Sequence, residues 1–150
     1  MNYIINTNQY LLESHYEKQN KKYIVKNIQF SINESFEFNQ DSTIELHPEF
    51  TRNIRKVDDN NALVNLIFRI KNEDLSLPFS IEADIEGWFH LENWEQPELV
   101  SLMVTNSIAI LFPYLRSLVS VITANANISP YVIPVMNINA LFDQKESTEE

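Results

Sequence analysis

The chain has 150 residues, a formal net charge of −10 and no cysteine. This length suits one domain and is short for two, and the missing cysteines exclude a disulfide framework and thiolate chemistry. The negative charge opposes binding to a phosphate backbone, so we expect no nucleic-acid partner. The first 14 residues lack the basic region and continuous apolar run of a secretory signal, and we expect a cytoplasmic protein.

An N-terminal extension, residues 1–20, precedes the first regular pattern. Its apolar residues cluster at positions 3–5 and 10–12, a spacing that fits a short strand as well as a short helix. Apolar and polar residues then alternate, which predicts the first strand. The residues that this alternation places on one side are Ile24, Ile28, Phe30 and Ile32.

A polar segment at residues 35–41 follows and predicts a crossover loop that carries Phe36 and Phe38. The apolar positions of residues 44–46 then begin the predicted second strand. Pro48 has no backbone N–H to donate, so this strand should lie at a sheet edge or a bulge.

Two longer runs of alternation, residues 62–71 and 75–92, predict the third and fourth strands. Residues 72–74 are predicted to form a tight turn between them, which makes the pair an antiparallel hairpin. The fourth strand carries apolar residues on one face and mostly acidic or polar residues on the other. The sheet should therefore be covered on one side only.

A long helix is predicted from Pro97 to residue 127, because Pro97 suits a first helical position and Glu98 suits the first turn. Its apolar residues cover an arc of about 200°, too wide for one sheet to bury. Met103, Ile110, Tyr114 and Val121 widen that arc. The length would suit a membrane span, but Asn106, Pro113 and Arg116 interrupt the helix and we expect no span.

The remaining face of this helix is polar and nearly uncharged. A helix that faces water normally carries several Lys and Glu residues there. We therefore predict that this face packs against another copy of the chain. The predicted interface residues are Arg116, Ser117, Ser120 and Thr123.

The C-terminal part begins with a loop that contains Pro130 and Pro134 and is too apolar for a free surface loop. A short helix follows it, and the acidic tail at residues 143–150 is expected to be disordered. Four antiparallel strands followed by two helices predict an α+β fold, in which residues 21–142 form one domain with both helices on one sheet face.

No residues converge on a catalytic or metal-binding pattern. His15, His47 and His90 lie on separate segments, no serine stands in a nucleophile elbow, and the single glycine excludes a glycine-rich phosphate cradle. Glu82, Asp84 and Glu86 share one strand face and could in principle serve acid–base chemistry. A solvated strand face is the simpler interpretation. We expect neither an enzyme nor a bound metal or cofactor.

Three sequence segments resemble the SecB family of bacterial export chaperones. They are the run Ile110-Leu-Phe-Pro-Tyr-Leu-Arg116, the prolines of the loop, and Asn137-Ile-Asn-Ala-Leu-Phe142. The family has an ILFPYxR run in its first helix, a proline-bearing loop and a closing N-F-D-A-L-F that enters its second helix. The chain departs from the family at residues 125–127, where the family has an Arg-Gly pair, and by one extra residue after Pro134.

The resemblance implies a cytosolic holdase that binds unfolded or precursor polypeptides without nucleotide and assembles as a dimer of dimers, a homotetramer. It makes the loop and the first crossover the two walls of a client groove, and the acidic strand face a docking surface for the translocase motor SecA. The client-binding residues would be Phe36, Phe38, Ile128, Tyr131, Val132 and Ile133. The SecA-binding residues would be Glu82, Asp84 and Glu86.

Two alternatives remain open. One is an adaptor on the same fold that serves a single partner, as an antitoxin-type chaperone would. The other is a small-molecule-binding or hydrolytic domain, for which the sequence offers no convergent polar residues. Many clients in a pull-down from lysate would favour the holdase, and one stoichiometric partner would favour the adaptor.

Overall fold

The computed structural model describes residues 23–39, 41 and 43–146, in which four strands and two helices are found. The elements are β1 Tyr23–Ile32, β2 Glu49–Lys56, β3 Asn61–Ile70, β4 Phe79–His90, α1 Pro97–Asn125 and α2 Ile138–Glu146. The strands form one antiparallel sheet in the order β1-β4-β3-β2. The predicted α+β fold is confirmed. The N-terminal extension, residues 1–20, lies outside the described residues.

The core lies between the two central strands and α1. The period of two in β3 and β4 places alternate side chains on the same sheet face, and those on the helix side are almost completely buried. The helix contributes a fully buried row made of Ile108, Leu111, Leu115 and Val119. We call this side of the sheet the helix face and the opposite side the outer face.

Two details of the edge strands differ from the prediction. β2 begins at Glu49 rather than at residue 44, because Pro48 cannot donate to the ladder and the chain becomes regular only after it. In β1 the register shifts between Val25 and Asn27, which marks a bulge. Ile24 therefore lies opposite Glu86 on the outer face, not on the same face as Ile28.

The connection between β3 and β4 is a loop of residues 71–78, longer than the predicted tight turn. The side-chain amide of Asn72 donates to the carbonyl of Leu77 at 2.8 Å and accepts from the N–H of Leu77 at 2.8 Å. The predicted turn is present within this loop, because the backbone N–H of Leu75 donates to the carbonyl of Asn72 at 3.4 Å. The prediction was wrong about the length of the connection, since the pairing of β3 with β4 ends at Ile70 and Ile81, several residues before the turn.

The two helices end at different places than predicted. α1 ends at Asn125, and Asn127 follows with a φ of 59°. Asparagine tolerates this left-handed conformation better than other residues with a Cβ, so it serves where glycine commonly ends a helix. α2 continues to Glu146, four residues into the segment that was expected to be a disordered tail. Residues 147–150 lie outside the described part of the chain.

The burial of α1 predicts how its leucines contribute to stability. Leu115→Ala should lower the free energy of unfolding by about 2–5 kcal/mol, because it removes buried methyl groups and leaves a cavity. Leu102→Ala is the control, since Leu102 lies on the same helix but is exposed, and it should change stability by less than about 0.5 kcal/mol. Equal effects of the two substitutions in chemical denaturation would contradict the assigned core.

Candidate functional site

A loop at residues 126–137 is fixed to α1 by two hydrogen bonds. Arg116 Nε donates to the carbonyl oxygen of Ile133 at 2.6 Å. The backbone N–H of Tyr131 donates to Thr123 Oγ1 at 2.8 Å, and the same hydroxyl donates back to the carbonyl of Val119 at 2.9 Å. We call this segment the anchored loop, because its position on the helix is set by these bonds.

The bonds determine which loop residues face the core. Ile133 is fully buried in the core, and the ring of Tyr131 stacks on Phe68 at a centroid distance of 6.0 Å. Burial raises the pKa of the Tyr131 hydroxyl above its usual value. The expectation that Ile133 is an exposed client-binding residue is therefore wrong. The residues on either side of Ile133, Val132 and Pro134, are both exposed.

The outward residues of the anchored loop are apolar. Val132 is 47% exposed and Val135 is 82% exposed. Between them and α1 lies a groove of about 360 Å³. Its lining residues are Phe112, Pro113, Arg116, Ser117, Ser120, Val121, Val132 and Val135.

The groove combines residues that the sequence had assigned to different roles. Val132 was predicted to bind clients, whereas Arg116, Ser117 and Ser120 were predicted to contact a second copy. Phe112, Pro113, Val121 and Val135 were not assigned to any site. The apolar composition of the loop was the signal that could have included Val135. Ile128 is half-buried and packs against the core instead of lining the groove.

Thr123 does not belong to an exposed interface. Its side chain is fully buried and its hydroxyl is used within α1 and by the anchored loop. The prediction that Thr123 contacts another copy is wrong, because helix periodicity cannot show that a loop returns over this position. Ser117 is exposed and Ser120 is half-buried.

A stripe of apolar residues on α1 is exposed to solvent in the single chain. Ile110, Tyr114 and Val121 were expected to widen the buried arc, but each is exposed by about half. Tyr114 is covered partly by Tyr23 of β1, whose ring stacks on it at 4.2 Å. The apolar arc of α1 is therefore wider than the sheet can bury, as predicted, and its outermost residues are exposed.

The aromatic pair after β1 forms a separate exposed feature. Phe38 is 72% exposed, and its ring meets the half-buried ring of Phe36 edge-on at 4.9 Å. Asn33 supports the start of this crossover, because its side-chain amide donates to two carbonyls of the β3–β4 loop. The pair does not line the groove.

The three carboxylates of the predicted acidic face each have a polar or cationic partner on another strand. Arg69 binds Glu82, and Asn65 donates to Asp84 at 2.8 Å. Lys26 lies 3.2 Å from Glu86, which is only 5% exposed. The expectation that all three carboxylates face water is wrong for Glu86, which is buried and forms an ion pair with Lys26 of the adjacent strand β1.

The described residues were also compared with the arrangements that bind metal ions. No group of three or more His, Asp or Glu residues in this part of the chain could hold a metal ion, and His15 lies outside it. The buried hydroxyls of Ser107 and Thr123 donate to carbonyls one turn earlier in α1, a structural use that leaves no activated nucleophile. Helix α1 is long and apolar enough to cross a membrane, yet core helices pass the same test and this one packs on a sheet.

Comparisons with known proteins identify the family. The family model described as "Preprotein translocase subunit SecB" matches residues 13–149. A protein of Methanocaldococcus jannaschii described as uncharacterized is 33% identical over 85% of this chain and 84% of its own length. The chain belongs to the SecB family, and the resemblance drawn from its sequence is confirmed.

Two further relatives bear on the function of the family. The protein-export protein SecB of Azoarcus sp. is 35% identical, over 52% of this chain and 51% of its own length. The structure of the Mycobacterium tuberculosis SecB-like chaperone Rv1957, solved with a ChAD peptide from the HigA1 antitoxin, superimposes with a TM-score of 0.60. It covers 77% of this chain and 88% of that chain at 13% identity, which is a similarity of fold. Family and fold together support a chaperone role.

The anchoring bond of Arg116 gives a test of the loop's position. Arg116→Met keeps the length of the side chain but leaves the carbonyl of Ile133 without its donor. We expect a loss of about 1–3 kcal/mol in stability and faster hydrogen exchange at the amides of residues 131–135, measured by mass spectrometry. Ser117→Ala, one residue away and exposed, should change neither. Unchanged exchange in Arg116→Met would show that the bond does not hold the loop.

Proposed function

We propose that this chain is a holdase that binds non-native polypeptides in the groove between α1 and the anchored loop. The observation that carries the proposal is the exposure of Val132 and Val135 on a loop that hydrogen bonds hold in place. Apolar side chains fixed in contact with water have no role in the stability of the single chain, and such patches commonly bind partners. Because the groove is already formed in the single chain, binding a client does not require the loop to be ordered, and the entropy cost of binding is lower.

The chemistry of the groove suits many clients rather than one. Val121, Val132 and Val135 offer apolar contact without directional demands, and the hydroxyls of Ser117 and Ser120 can bond to any exposed backbone. The net charge of −10 disfavours acidic segments and attracts basic ones. An extended, apolar and basic polypeptide is the client that these features fit.

The family and the protein of similar fold support the proposal. The family is described by its place in preprotein translocation, and the Mycobacterium tuberculosis neighbour carries a bound peptide. We include in the proposal a role in protein export from the cytoplasm, with SecA docking on the outer face near Glu82 and Asp84. The pairing of these carboxylates means that such docking would exchange existing ion pairs for new ones.

A dedicated adaptor is the second candidate function. It is favoured by the Mycobacterium tuberculosis structure of similar fold, in which the bound peptide comes from an antitoxin. Capture from lysate separates the two: a holdase should retain many unfolded clients at low stoichiometry, whereas an adaptor should retain one partner in equal amount.

The groove predicts how client affinity responds to substitution. Val132→Ser and Val135→Ser should each weaken binding of a permanently unfolded polypeptide by about 1–2 kcal/mol, roughly 5–30-fold in the dissociation constant, with little effect on stability. Leu75→Ser is a matched control, because the exposure of Leu75 lies between those of the two valines and Leu75 belongs to the β3–β4 loop. Fluorescence anisotropy measures the affinity. If both valine variants bind as the wild type does, the groove is not the client site.

We also propose that the part of the exposed stripe outside the groove, Ile110 and Tyr114, joins copies of the chain into a homo-oligomer, a dimer of dimers. Ile110→Glu adds a charge to this surface, and Asn106→Glu adds one at an exposed position one helical turn earlier. Burying this charge should weaken the free energy of assembly by about 2 kcal/mol or more, which raises the dissociation constant roughly thirtyfold. Leu75→Glu adds the same charge on a distant loop and should assemble normally. Light scattering that finds all three variants assembled like the wild type would contradict the chosen face.

A further inference from the structure

The outer face contains an apolar patch that is shielded from water. Both described helices lie on the helix face, yet Leu63 and Ile67 of β3 are only 6% and 7% exposed on the outer face. Trp88 lies opposite Leu63 in the register of β3 and β4 and is half-buried. A sheet face without a covering layer normally presents polar side chains to water. The patch therefore has the character of a surface that another segment covers.

The N-terminal segment, residues 1–22, joins the sheet next to this patch. β1 begins at Tyr23, which pairs with Gly87, the residue before Trp88 in β4. Two strand spacings, about 10 Å, separate β1 from β3. A segment of 22 residues spans about 33 Å even as a helix, which is enough to reach across the patch.

The composition of residues 1–22 suits the same surface. Apolar residues lie at positions 3–5, 10–12 and 16. The segment holds three of the chain's eleven basic residues but only two of its twenty-one acidic ones, so it is positive while the remainder is strongly negative. The family model begins at residue 13, so the first twelve residues are not accounted for by the family.

We propose that the outer face binds the chain's own N-terminal segment, whose apolar residues cover Leu63, Ile67 and Trp88. The segment then acts as an intramolecular cover on the side of the sheet away from the proposed client groove. Any partner that docks on the outer face has to displace it. The inference does not depend on the proposed client groove, which lies on a different surface. It does bear on the proposed SecA docking, because Glu82 and Asp84 lie on the same outer face.

The absence of cysteine allows a direct test by thiol labelling. Ile67→Cys places one thiol under the proposed cover, and Ile54→Cys places a control thiol on β2, on the exposed part of the helix face. Removing residues 1–20 should raise the labelling rate at position 67 by about tenfold or more and leave the rate at position 54 unchanged. Circular dichroism confirms that each variant is folded.

A second pair of variants keeps the full chain. Leu11→Asp with Leu12→Asp should expose position 67 as truncation does, whereas Asn6→Asp with Asn8→Asp adds the same charge without removing apolar side chains and should not. Equal labelling at position 67 in the full and shortened chains would overturn the proposal. Protection that survives truncation and rises with protein concentration would instead assign the outer face to a second copy.

Discussion

The hydrogen bond from Arg116 Nε to the carbonyl oxygen of Ile133 is the constraint on which the candidate site depends. It draws the anchored loop onto α1 and sets Ile133 in the core, while Val132 and Val135 of the same loop are exposed. The bond also satisfies the one charge on the central part of the helix. A structural interaction thus creates the groove, and the arginine of the ILFPYxR run has a physical reason to be there.

The regular elements could be predicted because each has a period or a start signal. Strict alternation of apolar and polar residues predicted β3 and β4, and Pro97 marked the first residue of α1. The bulge in β1 could not be predicted, since it depends on the register against β4 and not on the local pattern. The inward direction of Ile133 was also hidden, because it results from a bond to a residue 17 positions earlier.

The residues predicted for the client site and the oligomer interface do not form one surface in the structure, because some of them are buried. A helical wheel assigned Thr123 and Ser120 to one polar face, but it cannot show that the anchored loop returns over Thr123 and not over Ser117. Likewise, alternation placed Glu86 on a polar face without showing that Lys26 would lie against it. In both cases the missing information is a contact between segments distant in sequence, and a single sequence without aligned homologues does not contain it.

The central claim is that clients bind at the groove, and cross-linking tests it most directly. Val135→Cys in the cysteine-free chain accepts a photoactivatable cross-linker at the rim of the groove, and Leu75→Cys accepts the same reagent on the β3–β4 loop. With an unfolded polypeptide present, the account predicts client cross-links from position 135 that excess unlabelled client removes, and only background from position 75. Client cross-links of equal yield from both positions, or none from position 135, would contradict it.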